Sequence, residues 1–240
     1  MEKNRLEALS DGVFAVAITL LVLDIRPPAD ISYDHLGAAL LALAPKIASY
    51  LLSFFVVGIY WAFHHASFAR LQRIDGTVVF LNLLILLLVT FMPFPTILLG
   101  EYPFTTIPLV IYGGCLMASN LIGFLSVLHQ HYHPQLMRAE HREDFLATQT
   151  PVYIVVNALY LGAMAAAFVS PVVSYGIYLV VLIGVGVHIL RVTTRESRLT
   201  AALAVPPSPL LGEGRGGGRH VAEIVDGSRQ HDSFRGVPPP

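Results

Sequence analysis

Six apolar runs, each long enough to cross a bilayer and separated by short polar breaks, leave this chain few ways to fold. A hydrocarbon core roughly 30 Å thick needs about 20 helical residues per crossing. The runs at 6–25, 44–67, 76–99, 106–129, 149–169 and 172–192 meet that length. Of the 240 residues, 55% are hydrophobic and only 13% charged, too few charges to coat a soluble domain of this size. The expected fold is therefore all-α: a polytopic membrane protein with six transmembrane helices. The short apolar segment 35–43 reads as a helical lead-in to the second span, with Pro45 in its first turn and Lys46 snorkelling to the interface.

Orientation follows from the basic residues of the loops. Lys3 and Arg5 precede the first span. Arg70 and Arg73 follow the second, Arg138 and Arg142 the fourth, and Arg191, Arg195 and Arg198 the sixth. The opposite loops carry only Arg26. Both termini are placed in the cytoplasm and the chain in the cell's inner (plasma) membrane. The first span is read as retained, because Arg26-Pro27-Pro28 stands where a cleavage site would follow. Residues 1–200 form the membrane domain, and 201–240, rich in Pro and Gly, form an expected disordered cytoplasmic tail. A net charge of −1 points to no nucleic-acid partner, and the single cysteine, Cys115, has no intrachain disulfide partner.

The first span holds the most chemistry. Arg5, Glu7, Ser10 and Asp11 open an otherwise apolar helix, and ionisable groups there are costly unless paired or hydrated. Arg5 and Asp11 do not share a helical face, so their partners come from other helices or subunits; alternatively, Ser10 or Asp11 caps the helix. Further on, Gly12, Val16, Thr19, Leu20 and Leu23 line one face. Such a stripe suits a narrow pore or plain helix packing, and periodicity does not separate the two in a span apolar all round.

The run Arg5-x-x-x-Leu9-Ser10-Asp11-Gly12, continuing through Leu23, resembles the first helix of bacterial members of the transmembrane protein 175 potassium-channel family, whose signature is Arg-x-x-x-Phe-Ser-Asp. The resemblance extends through Tyr50, Ser53-Phe54, Trp61 and His64-His65 in the second span, and Asn82 and Met92-Pro93-Phe94 in the third. It implies a homotetramer of six-span subunits with the first helices around a central pore, conducting K+ without a cofactor. It implies a constriction at Val16, Leu20 and Leu23, with Thr19 beside them. It also implies a network of Arg5, Ser10 and Asp11 with Trp61 and His64 or His65. Two residues depart from the family pattern: Leu9 replaces the signature Phe, and Val16 stands where Ile or Leu is commoner, giving a wider neck.

Apolar necks gate by dewetting, and one just wide enough for a partly hydrated ion favours K+, whose shell is stripped more easily than that of Na+. Asp24, Asp30 and Asp34 lie where they would concentrate cations at the outer mouth; Asp30 and Asp34 read rather as an ordinary solvated loop, while for Asp24, nearer the first helix, the two readings are even. His129, His131, His133 and His141 form an interfacial polar cluster rather than a metal site, since alternate spacing does not converge on a helix. Asn82, Ser119, Asn120 and Asn157 read as hydrogen-bonding between helices. A secondary transporter would show repeats and mid-membrane acids, which are missing here. An enzyme would need a nucleophile–base pair or a cofactor loop. A non-conducting assembly protein would use the polar start of the first helix only for subunit packing.

Overall fold

The computed structural model describes residues 2–26, 29, 33–139 and 145–204. Among these, the chain is helical from end to end: α1 (Lys3–Leu20), α2 (Leu36–Ala42), α3 (Ala44–Arg70), α4 (Gly76–Phe91), α5 (Pro93–Glu101), α6 (Thr106–Tyr132), α7 (Phe145–Ala166) and α8 (Pro171–Ala204). The all-α reading holds, as lipid requires, because a helix satisfies its backbone groups internally.

Five stretches are long and apolar enough to cross a membrane: Lys3–Asp24, Ala44–Arg70, Gly76–Glu101, Thr106–Tyr132 and Pro171–Ile189. The remaining long helix, α7, has 22 residues and covers most of the expected fifth span. Gln149, Thr150 and Asn157 dilute its apolar character. The short lead-in is α2, and Pro45 sits in the first turn of α3 as expected. The lone Lys46 pairs with Glu101 of α5. The third span is broken into α4 and α5 because Pro93 and Pro95 lack the N–H groups that would continue the ladder. Thr96 repairs the gap by donating both its backbone N–H and its hydroxyl to the Met92 carbonyl. α8 runs four residues into the segment expected to be tail, and 205–240 lies outside the described residues.

The principal unit is Met1–Ser197. Its main core gathers Phe14 and Leu21 from α1, Val57 from α3, Val89 and Leu99 from α4 and α5, and Leu109, Tyr112 and Leu116 from α6. α1 packs against α3 and α4, α4 against α6, and α6 along α7. Hydroxyls tie the core across helices: those of Thr96 and Ser53 lie 2.7 Å apart, and those of Ser53 and Tyr112 3.2 Å apart. α8 is held by Tyr178, which donates to the Leu109 carbonyl at 2.7 Å. Gly113 makes room for that ring, since a Cβ there would stand 2.1 Å from the Tyr178 hydroxyl. A second cluster, Leu6, Phe68, Leu71, Leu136 and Met137, closes the arginine-bearing end. There the backbones of Arg70 and Gln72 pair with those of Arg138 and Leu136.

At that end Asp75 caps α4, accepting from the Val78 N–H at 2.8 Å, and its other oxygen meets His129 Nε2 at 2.8 Å. Burial pushes the Asp75 carboxyl up, but the Val78 N–H and the His129 ring outweigh it and hold the group below its usual value. His133 stacks near His129 (4.2 Å) and donates Nδ1–H to its carbonyl. His129 and His133 thus form a polar cluster with Asp75. His131 is exposed, and His141 lies outside the described residues. Asn120 does bond across helices, donating to the Tyr153 carbonyl of α7. Asn157 and Ser119 do not fit the interhelical expectation: each donates to a carbonyl one turn back in its own helix. That local partner is always in reach of a short polar side chain.

Candidate pore helix and its anchoring network

α1 has two opposite stripes. Leu6, Ser10, Phe14, Ala17 and Leu21, spaced by three or four residues, are buried against the rest of the subunit. On the far side Val16, Leu20 and Leu23 are 56%, 45% and 64% exposed. Gly12 lies on the same side with open space around it. Thr19 is exposed too, and its hydroxyl turns back to the Val16 and Ala15 carbonyls at 2.8 and 3.1 Å. The helix tightens into a 3₁₀ turn at Leu21–Asp24, so Leu23 and Asp24 sit on a narrower coil than α-helical spacing assumes.

The polar start of α1 is anchored to α3 and α4. Asp11 accepts from the Trp61 indole N–H at 2.8 Å. Trp61 in turn stacks on His65, and the His65 ring lies 3.8 Å from the Glu7 carboxylate. Deeper in, Asn82 joins Ser10 to His64. Its amide donates to the Ser10 hydroxyl (3.1 Å), which also donates to the Leu6 carbonyl (2.9 Å). Its carbonyl oxygen lies 2.6 Å from His64 Nε2. An amide oxygen only accepts, so His64 carries its proton on Nε2. The ring is clamped between Phe14 and Phe68. All three polar residues are buried.

A family model described as the endosomal/lysosomal potassium channel TMEM175 matches residues 5–93, which span α1, α3 and the anchoring network. A protein named as a potassium channel in Chamaesiphon minutus is 36% identical over 187 residues, a match covering 76% of this chain and 92% of that one. The chain belongs to the TMEM175 family. A second TMEM175-like relative, named as a potassium channel in Streptomyces collinus, is 50% identical over 101 residues, a match spanning about half of its own length (49%). The fold agrees as well. The crystal structure of a lysosomal potassium-selective channel TMEM175 homolog from Chamaesiphon minutus aligns with a TM-score of 0.69 at 35% identity, covering 78% of this chain and 97% of that one.

Within this TMEM175 chain the structure brings together most of the residues expected to form the network. Asp11 meets Trp61 directly, Ser10 meets His64 through Asn82, and His65 approaches Glu7. Arg5 does not join within the subunit: it is exposed and has no side-chain partner among the described residues. Six residues from Asp11, it is turned away from the groups that Asp11 meets. The capping alternative for Ser10 and Asp11 fails, because α1 begins at Lys3 and both residues lie inside it. Asn82, expected to hydrogen-bond between helices, does so with both α1 and α3 and is the hub. A lone Asn in an otherwise apolar span is the signal that marks it.

Proposed function

We propose that copies of this chain assemble as a homotetramer whose α1 helices surround a passive K+ pathway. The observation that carries the reading is the exposed apolar stripe of α1, lying in the segment that matches the TMEM175 family. Val16, Leu20 and Leu23 face away from their own subunit while Phe14, Ala17 and Leu21 face into it. One such helix encloses nothing, and a closed ring is the arrangement that gives every copy the same neighbours. In the ring, the three side chains form the constriction and Thr19 lies beside them. The Thr19 hydroxyl, already occupied by its own helix, leaves the neck without strong ligands. An ion there sheds part of its hydration without replacement, which favours K+ over Na+ modestly. Val16 makes the neck wider than Ile or Leu would.

The Asp11–Trp61 and Ser10–Asn82–His64 contacts fix α1 on its own subunit, so that each copy presents the same face to the axis. No cofactor takes part: the permeant ion is the cargo, and the family is one of channels, not enzymes. α7 serves as the sixth crossing. The arginines of the 70–73 and 138 segments support a cytoplasmic side for that end of the bundle and for both termini, in the plasma membrane.

The test is ion flux in liposomes holding the purified chain. An outward K+ gradient, and separately an outward Na+ gradient, is imposed, and the compensating proton uptake is followed. Faster flux with K+ supports the reading. Absence of flux from folded, assembled protein rejects it and favours a non-conducting assembly role.

A further inference from the structure

The subunit contains a cavity of about 110 Å³, set away from the exposed face of α1 and lined by α3, α4, α6, α7 and α8. Its wall is mixed. Val56, Leu116, Val156 and Val181 supply apolar surface, and His64, Ser67, Ser126, Gln130 and Gln149 bring polar groups towards the arginine-bearing end. Two wall residues are more than nine-tenths buried yet incompletely bonded. His64 Nδ1 and Gln130 Oε1 have no hydrogen-bond partner among the described residues. The Gln130 amide donates to the Ser67 hydroxyl (3.3 Å), and Ser67 lies one turn from His64 on α3. Because His64 carries its proton on Nε2, both orphans are acceptors. A buried acceptor left unpaired is costly, so this end of the cavity calls for a donor.

We propose that this cavity is a binding site for a small neutral amphiphile, a hydroxyl-bearing molecule with a short apolar chain. The hydroxyl donates to Gln130 Oε1 or to His64 Nδ1, and the chain lies among the valines. A 150 Å³ cavity takes a six-carbon ring, so 110 Å³ takes about four to five heavy atoms. Through His64 the occupant touches the Asn82–Ser10 contact that seats α1, so the site is coupled to the position of that helix. The inference does not depend on ion conduction.

The experiment is thermal unfolding of the purified full chain, followed by Trp61 fluorescence, across primary alcohols from ethanol to octanol. Partition into detergent or bilayer strengthens about fourfold per added methylene without a break. A cavity of fixed size instead gives stabilisation that peaks at propanol or butanol and vanishes by hexanol. Ser126→Leu, which fills the cavity at the loss of only an intrahelical hydroxyl bond, and Gln130→Leu, which removes an acceptor, should each weaken the butanol response at least fivefold. Leu182→Phe on α8 fills the same space should Ser126→Leu not fold. Three results overturn the site: a response rising monotonically with chain length, an equal response in the filled variants, or no stabilisation by any alcohol, which would mean that the space holds water alone.

Discussion

Asn82→Leu should be among the most damaging single changes in the membrane domain, and its cost can be worked from the structure. Asn82 makes one bond to Ser10 and one to His64. Hydrogen bonds between helices in a membrane average about 0.6 kcal/mol, with a maximum near 1.7. Losing both is the smaller part. The larger part is that His64, buried and clamped between Phe14 and Phe68, keeps an N–H with nowhere to point, a penalty of about 1–3 kcal/mol. The expected destabilisation is about 2–4 kcal/mol. Ser10→Ala removes the same contact from the other side and strands nothing so severe, so it should cost about 1 kcal/mol. Adding His64→Phe to Asn82→Leu removes the stranded donor and keeps the ring stack. The double variant should then recover most of the loss, since replacing both partners by apolar groups of similar shape is close to neutral. Reversible unfolding in mixed micelles measures these three variants, and His64→Phe alone, against wild type. The reasoning is wrong if Asn82→Leu costs no more than Ser10→Ala, or if the double variant costs the sum of its parts.

Val16→Ile should narrow the neck by a methylene and raise the ratio of K+ to Na+ flux in liposomes, whereas Leu20→Ala should raise conductance and lower that ratio. Gly113→Ala should cost about 1–3 kcal/mol by unfolding, because the new methyl collides with the Tyr178 hydroxyl and with Met164, 2.7 Å away. Asp75 is held below its usual 3.8 in the folded chain. Its charged form therefore contributes stability that is fully present above that value and is lost as pH falls through the lower folded value. Wild type should lose its advantage over Asp75→Asn in an acid titration of stability below about pH 4. Lys46→Met should shift stability by under about 1 kcal/mol, because the Lys46–Glu101 pair is partly exposed.

The spans were legible because in lipid each helix must satisfy its own backbone, so apolar length alone announces it. The α4–α5 break was legible at Pro93 and Pro95. The cap of α4 was also present in the sequence, as an Asp directly before the predicted start at 76, although it was not read. The first helix was harder. Its polar residues announced that partners exist, but nothing in the local sequence pairs Asp11 with an indole fifty residues away. Spacing separated Arg5 from Asp11 correctly, yet only the packed structure shows that Asp11 faces α3 while Arg5 faces outward. The 3₁₀ turn at Leu21–Asp24 escaped because its residues are as apolar as those of the α-helix before it. Asn157 was assigned a partner on another helix by default, and the local carbonyl won.

A subunit alone does not distinguish a face that meets lipid from one that meets a pore, because both are exposed and apolar, and α1 and α4 make the comparison concrete. Leu20 and Phe91 are 45% and 46% exposed. At about 1.5 Å per residue they lie at similar depths, roughly 25 and 22 Å from the starts of their helices at the arginine-bearing end. The native Cys115 is buried, so its background reactivity is low. If the α1 stripe lines a pathway for hydrated ions, Leu20→Cys reacts with a small, charged, water-soluble thiol reagent. Phe91→Cys, against lipid or a neighbouring subunit, stays protected, because the thiolate that reacts forms only where water reaches it. A difference of at least tenfold in labelling rate is expected, and added K+ should slow only the Leu20→Cys reaction. Equal rates at the two sites would mean that the exposed stripe of α1 meets the same medium as that of α4, and the central position of α1 would have to be abandoned even if the protein conducts.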